Sequence, residues 1–203
     1  IKMSLPIIFA YIIFAVAAII SVINESGDEE WISLLTNGAL GLTSIYTYSK
    51  KRYDLSILSM IVMCTSIIWH SSGKYNKIDD FMSRYLAYYT LGTTALNPVV
   101  IGVPMLFLST LLTYNIEFEE MYVVVSLSIL LIVYKIINNT MDYRFVFGSI
   151  SGILAFVCFH LEHWHSVWHV LSAICVAVLC TQNVKLKKVV VNIEENKEIL
   201  LRF

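Results

Sequence analysis

Eight apolar runs separated by short polar joints leave this chain little freedom in what it can fold into. They cover residues 5–22, 31–48, 55–71, 80–96, 99–114, 121–137, 145–161 and 165–181. Each is close to the minimum of about 17 residues that a helix needs to cross a hydrocarbon slab roughly 30 Å thick. A backbone inside lipid must also close its hydrogen bonds within its own segment, which favours helices over open strands. Composition agrees: 58% of residues are hydrophobic and 14% charged, where a water-soluble domain carries about a quarter charged. The expectation is an all-α integral membrane protein with one embedded domain. The first run has a basic start at Lys2 but is longer than the apolar core of a signal peptide, so it is read as a helix.

The charges orient these segments, because basic residues are retained on the cytoplasmic side. If all eight runs span, Lys50-Lys51-Arg52, Lys135, Arg144 and Lys185, Lys187 and Lys188 fall on one side. The other side receives Glu25, Asp28, Glu29 and Glu30, then Glu117, Glu119 and Glu120, with Lys74 and Lys77 as exceptions. Both termini are therefore expected in the cytoplasm. A net charge of −1 without a dense basic run argues against a nucleic-acid partner. Cys64, Cys158, Cys175 and Cys180 lie inside apolar runs without zinc-finger or disulfide-framework spacing, and read as buried small hydrophobes.

Four of the five histidines crowd into ten residues, His160, His163, His165 and His169, where the last two apolar runs meet. An ionisable group at membrane depth is costly and points to function. The inferred topology brings His70 at the end of the third run, Asp79 and Asp80 at the start of the fourth, and His165 and His169 at the start of the eighth to one extracellular or luminal face. His165 and His169 are four apart and share a helix face, with Cβ atoms about 5–6 Å apart. Zinc in catalytic sites takes three protein ligands at about 2.0–2.2 Å plus a water. His70 is the natural third ligand, and Asp80 or its neighbour Asp79 is placed to hold or deprotonate that water. Ser66, one turn before His70, shares its face. Each feature has a plainer reading. Asp80 can pair with Arg84 one turn on, Ser66 can bond its own backbone, and His160 and His163 can be interfacial residues.

Ser66-Ile-Ile-Trp-His70, Asp80-Phe-Met-Ser83 and His165-Ser-Val-Trp-His169 resemble the three signatures of the CREST superfamily of seven-helix membrane proteins. That group includes alkaline ceramidases, progestin and adipoQ receptors and the myomaker branch. The resemblance covers residues 31–181. It implies a seven-transmembrane-helix bundle over 25–182 with one additional N-terminal helix (1–24) and a cytoplasmic tail (183–203). It further implies Zn2+ on His70, His165 and His169, with Asp80 facing the ion's water and Ser66 in support; Asp79 remains the alternative to Asp80. Compact length, the Lys50-Lys51-Arg52 joint, Glu162-His163-Trp164 and the form of the last motif look closest to the myomaker branch.

Two functions follow as expectations. One is a zinc-dependent lipid hydrolase of ceramidase type, cleaving an amide or ester in a ceramide-like lipid or phospholipid. The other is a myomaker-like protein of membrane fusion or remodelling whose zinc is structural. Haem between His70 and His169 would leave His165 and Asp80 without a role, and retinal is disfavoured because the last run lacks a lysine for a Schiff base.

Overall fold

The computed structural model describes residues 5–23, 30–114, 120–138, 140–161 and 164–181. Among these residues it is all-helical, with no strand. Eight helices follow the eight apolar runs: α1 (Leu5–Ile23), α2 (Glu30–Ser49), α3 (Tyr53–Ser72), α4 (Asn76–Thr93), α5 (Pro98–Tyr114), α6 (Glu120–Ile137), α7 (Tyr143–Phe159) and α8 (His165–Leu179). The tail expected over 183–203, and the polar residues 24–29, lie outside the described residues.

Local chemistry sets several of the boundaries. Gly73 stops α3 with φ +63°, its N–H returning 2.7 Å to the Trp69 carbonyl. This left-handed cap suits glycine because a Cβ is strained there. A second left-handed residue, Tyr75, precedes α4, so a three-residue link carries the chain from α3 into α4. α4 starts four residues earlier than the hydropathy pattern suggests, because Asn76, Lys77, Asp79 and Asp80 are polar residues in its opening turns rather than in a joint. Asp142 caps α7, accepting from the backbone N–H groups of Arg144 and Phe145 at 2.8 and 3.0 Å.

α8 sits at the centre, in contact with α1, α2, α4 and α7, while α2 packs on α1, α3 and α8. α4 joins this group to α5 and α6. α1 is docked on the bundle: Tyr11 hydrogen-bonds Thr43 of α2, and Thr43 donates to the Ala173 carbonyl of α8 at 3.0 Å. Small residues permit the closest approaches. On α7, a Cβ added at Gly148 would fall 2.5 Å from Leu179 Cδ2 of α8.

Beside an apolar core, several polar residues are buried and many large apolar residues face outward. Thr36, Asn37, Thr43, Ser59 and Ser66 are fully buried, whereas Phe9, Val99, Val103, Phe107 and Ile137 are 63 to 86% exposed. Cys64 departs from its expected burial. It lies on the outward surface of α3, while Cys158, Cys175 and Cys180 are buried. Among the described residues one helix, α3, is both long and apolar enough to cross a membrane, and five others are apolar over shorter stretches. α2 and α4 have the length but carry polar residues, Ser33, Thr36, Asn37, Thr43, Ser44 and Thr47 on the first and Lys77, Asp79, Asp80 and Arg84 on the second.

Candidate metal centre

His70 in the last turn of α3 and His165 and His169 in the first two turns of α8 converge at one end of the bundle. One ring nitrogen from each lies within 4.8 Å of the others. Ring centroids stand 4.7 Å apart for His165 and His169, 5.1 Å for His70 and His165, and 5.4 Å for His70 and His169. Residues 95 positions apart are thus brought together because α3 ends, and α8 begins, at the same level.

One pair of these nitrogens has the spacing of ligands on a tetrahedral ion. Two ligands on one zinc at about 2.0–2.1 Å stand roughly 3.3–3.4 Å apart, and Nε2 of His165 lies 3.2 Å from Nε2 of His70. Without an ion, that pair can share one proton as an N–H···N hydrogen bond. A third ring within 4.8 Å is the feature that such a bond does not require. The cluster can therefore hold a metal ion, and imidazole nitrogens are ligands of zinc and of several other transition metals.

Aromatic residues wall the rings. Trp69 is 5.4 Å from His165, and Trp168 is 5.0 Å from His165 and 4.7 Å from His169. Such a shell limits water access around a metal site. His169 is fully buried, and both its nitrogens have partners. Nδ1 is 3.0 Å from Thr36 Oγ1 of α2, and Nε2 is 3.3 Å from Ser66 Oγ of α3.

The other expected residues separate into different environments. Ser66, fully buried, makes its contact with His169 rather than with its own backbone. Asp79 is buried and accepts a 2.9 Å hydrogen bond from Thr65 of α3. Asp80 pairs with Arg84, as their i,i+4 spacing allows, and Arg84 also reaches Thr113 at 3.4 Å. Neither carboxylate joins the three-imidazole group. His160 caps the end of α7 against Phe156 and Phe159, outside that group, and His163 lies outside the described residues.

A cavity of about 970 Å³, counting its open mouth, extends from this end into the bundle between α4, α7 and α8. Asp80, Arg84 and His169 line it, as do apolar residues such as Val62, Tyr88 and Phe156. It borders α4 from Asp80 to Leu91, which is about 16 Å at 1.5 Å per residue. A more polar recess, about 560 Å³ with its open mouth counted, shares Asp80, Ser83 and Arg84 with it and reaches Asn76 and Lys77.

Sequence reasoning missed Thr36, although a signal was present. Ser33, Thr36, Asn37, Thr43, Ser44 and Thr47 recur at spacings of three, four and seven residues in an otherwise apolar run, marking the face that α2 turns inward. No protein-family model matches the chain, and no curated protein or solved structure matches it.

Proposed function

We propose that this chain is an integral membrane, zinc-dependent lipid hydrolase that cleaves an amide or ester bond, as the resemblance to the CREST superfamily implies. The observation that carries the reading is the three-histidine cluster, one member of which, His169, lines an apolar cavity that also takes in Asp80.

Bilayer residence is supported by the outward-facing apolar residues on α1, α5 and α6 together with the polar side chains buried on α2. Water penalises such a surface, whereas lipid does not. The basic residues of the α2–α3 joint, with Lys135 in the last turn of α6 and Arg144 in the first turn of α7, favour a cytoplasmic position for that end, which leaves the histidines at the extracellular or luminal leaflet. In this reading α2 to α8 form the seven-helix core and α1 is an added helix.

His70, His165 and His169 would hold the zinc. Zinc so bound polarises a carbonyl and brings the pKa of water to about 7. The protein supplies the rest. The cavity takes an acyl chain along α4 and α8, with the scissile bond near His169. Asp80, oriented by Arg84, takes a proton from the attacking water and returns it to the leaving amine or alkoxide as the carbonyl carbon gains the hydroxyl. Ser66 supports the His169 ring. Asp79, tied to Thr65, is the alternative base.

The test is release of free fatty acid from a panel of ceramides and glycerophospholipids by the purified protein. Release should fall by about 10²–10⁴-fold in Asp80→Asn, the usual contribution of a general base. Loss in Asp79→Asn alone would reassign the base. A zinc-loaded protein that cleaves no lipid in the panel would contradict the hydrolase reading and leave the metal a structural role of the kind expected in a membrane-fusion protein.

A further inference from the structure

We infer that Thr36 is a positioning residue for the metal centre, fixing the His169 ring in the tautomer whose Nε2 carries a bare lone pair. This deepens the zinc reading and rests on it.

Thr36 and His169 are both fully buried, so no bulk water competes for either group. Thr36 Oγ1 lies 3.0 Å from the Ile32 carbonyl, 3.1 Å from the Ser33 carbonyl and 3.0 Å from His169 Nδ1. A threonine hydroxyl has a single proton, and carbonyl oxygens only accept. On a helix that proton goes back to a carbonyl three or four residues earlier, here Ser33 or Ile32. What Oγ1 then presents to His169 is a lone pair. Nδ1 must meet it with an N–H, and a neutral imidazole with Nδ1–H has an unprotonated Nε2.

Nε2 faces α3, where Ser66 lies one turn before His70. Nε2 contacts Ser66 Oγ, which can donate to it in the metal-free protein. Ligating histidines ordinarily donate their second ring N–H to a fixed acceptor, which sets both tautomer and ring orientation. Thr36 provides such an acceptor from a third helix, so α2 takes part in the centre without contributing a ligand. Contacts within α2 and across to α8 surround the acceptor. Asn37, the next residue, donates to the Ser33 carbonyl at 3.0 Å, and Ser33 Oγ lies 3.5 Å from Ser166 Oγ at the start of α8.

Thr36→Val keeps the branched shape and removes the acceptor, whereas Thr36→Ser keeps the hydroxyl. Two readouts separate this inference from the metal reading. First, ¹⁵N spectra of histidine-labelled, chelator-treated protein, with the His169 signals assigned by their loss in His169→Gln, report the tautomer without any ion. Wild type and Thr36→Ser should show Nδ1–H, and Thr36→Val should move toward Nε2–H. Second, zinc competition titrations should show affinity weakened about 10–100-fold in Thr36→Val, the usual effect of losing such an outer partner, and nearly restored in Thr36→Ser. An Nε2–H tautomer in the wild-type protein would overturn the inference with no variant needed. So would wild-type zinc affinity in Thr36→Val. A wild-type protein that binds no zinc would instead sink the metal reading, leaving the spectra to judge the Thr36 contact.

Discussion

One added methyl group at Gly148 tests whether α8 is seated on α7 as closely as described. The new Cβ would lie 2.5 Å from Leu179 Cδ2 and 2.6 Å from Cγ, where carbon atoms prefer about 3.5–4.0 Å. Leu179 is 1% exposed and packs with Ala95, Leu131, Phe145 and Cys175, so it has little room to move the ångström or more required. Overpacking of this kind costs about 1–3 kcal/mol, and Gly148→Ala should lose that much stability. Leu179→Ala alone removes a buried side chain and should cost about 2–5 kcal/mol. In the double variant the methyl enters the space the leucine vacates, so the double loss should fall short of the sum by about 1–3 kcal/mol. A double-mutant cycle of equilibrium unfolding in detergent measures it. If Gly148→Ala is neutral and the pair additive, the α7–α8 contact is not the one described.

Gly73→Ala should cost about 1–2 kcal/mol, the penalty for a side chain in left-handed backbone. Nothing lies within 4 Å of the added Cβ, so Gly73→Asn, which tolerates that backbone, should cost less in the same unfolding assay; equal losses would point to a steric cause. Zinc at 100 times its dissociation constant should stabilise the folded protein by about 2.7 kcal/mol. Removing it with a chelator should therefore lower the melting temperature measured by thermal shift, and a melting temperature indifferent to chelator would contradict a folded-state ion.

The eight helices were legible because each apolar run is long and bounded by charges or by residues such as Gly73 and Asp142. The convergence of His70 with His165 and His169 was legible too, since alternating helix directions bring the end of the third run to the start of the eighth. What packs against what was not. The pairing of α2 with α8 depends on facing surfaces, Thr43 against Ala173 and Thr36 against His169, and a hydroxyl in an apolar run does not show its partner. The burial of Asp79 beside Thr65 was hidden for the same reason. Asp79 and Asp80 differ by one position, yet 100° of helix turn directs one to a hydroxyl of α3 and the other to Arg84.

The most direct measurement is metal content per chain by elemental analysis of purified wild type, His169→Ala and His160→Ala. Three converging imidazoles predict one zinc in the wild type, little or none in His169→Ala, and one again in His160→Ala, whose ring lies outside the cluster. A wild-type protein that neither carries nor takes up zinc, or a His169→Ala variant that keeps it in full, would contradict the assignment of this end of the bundle as a metal centre.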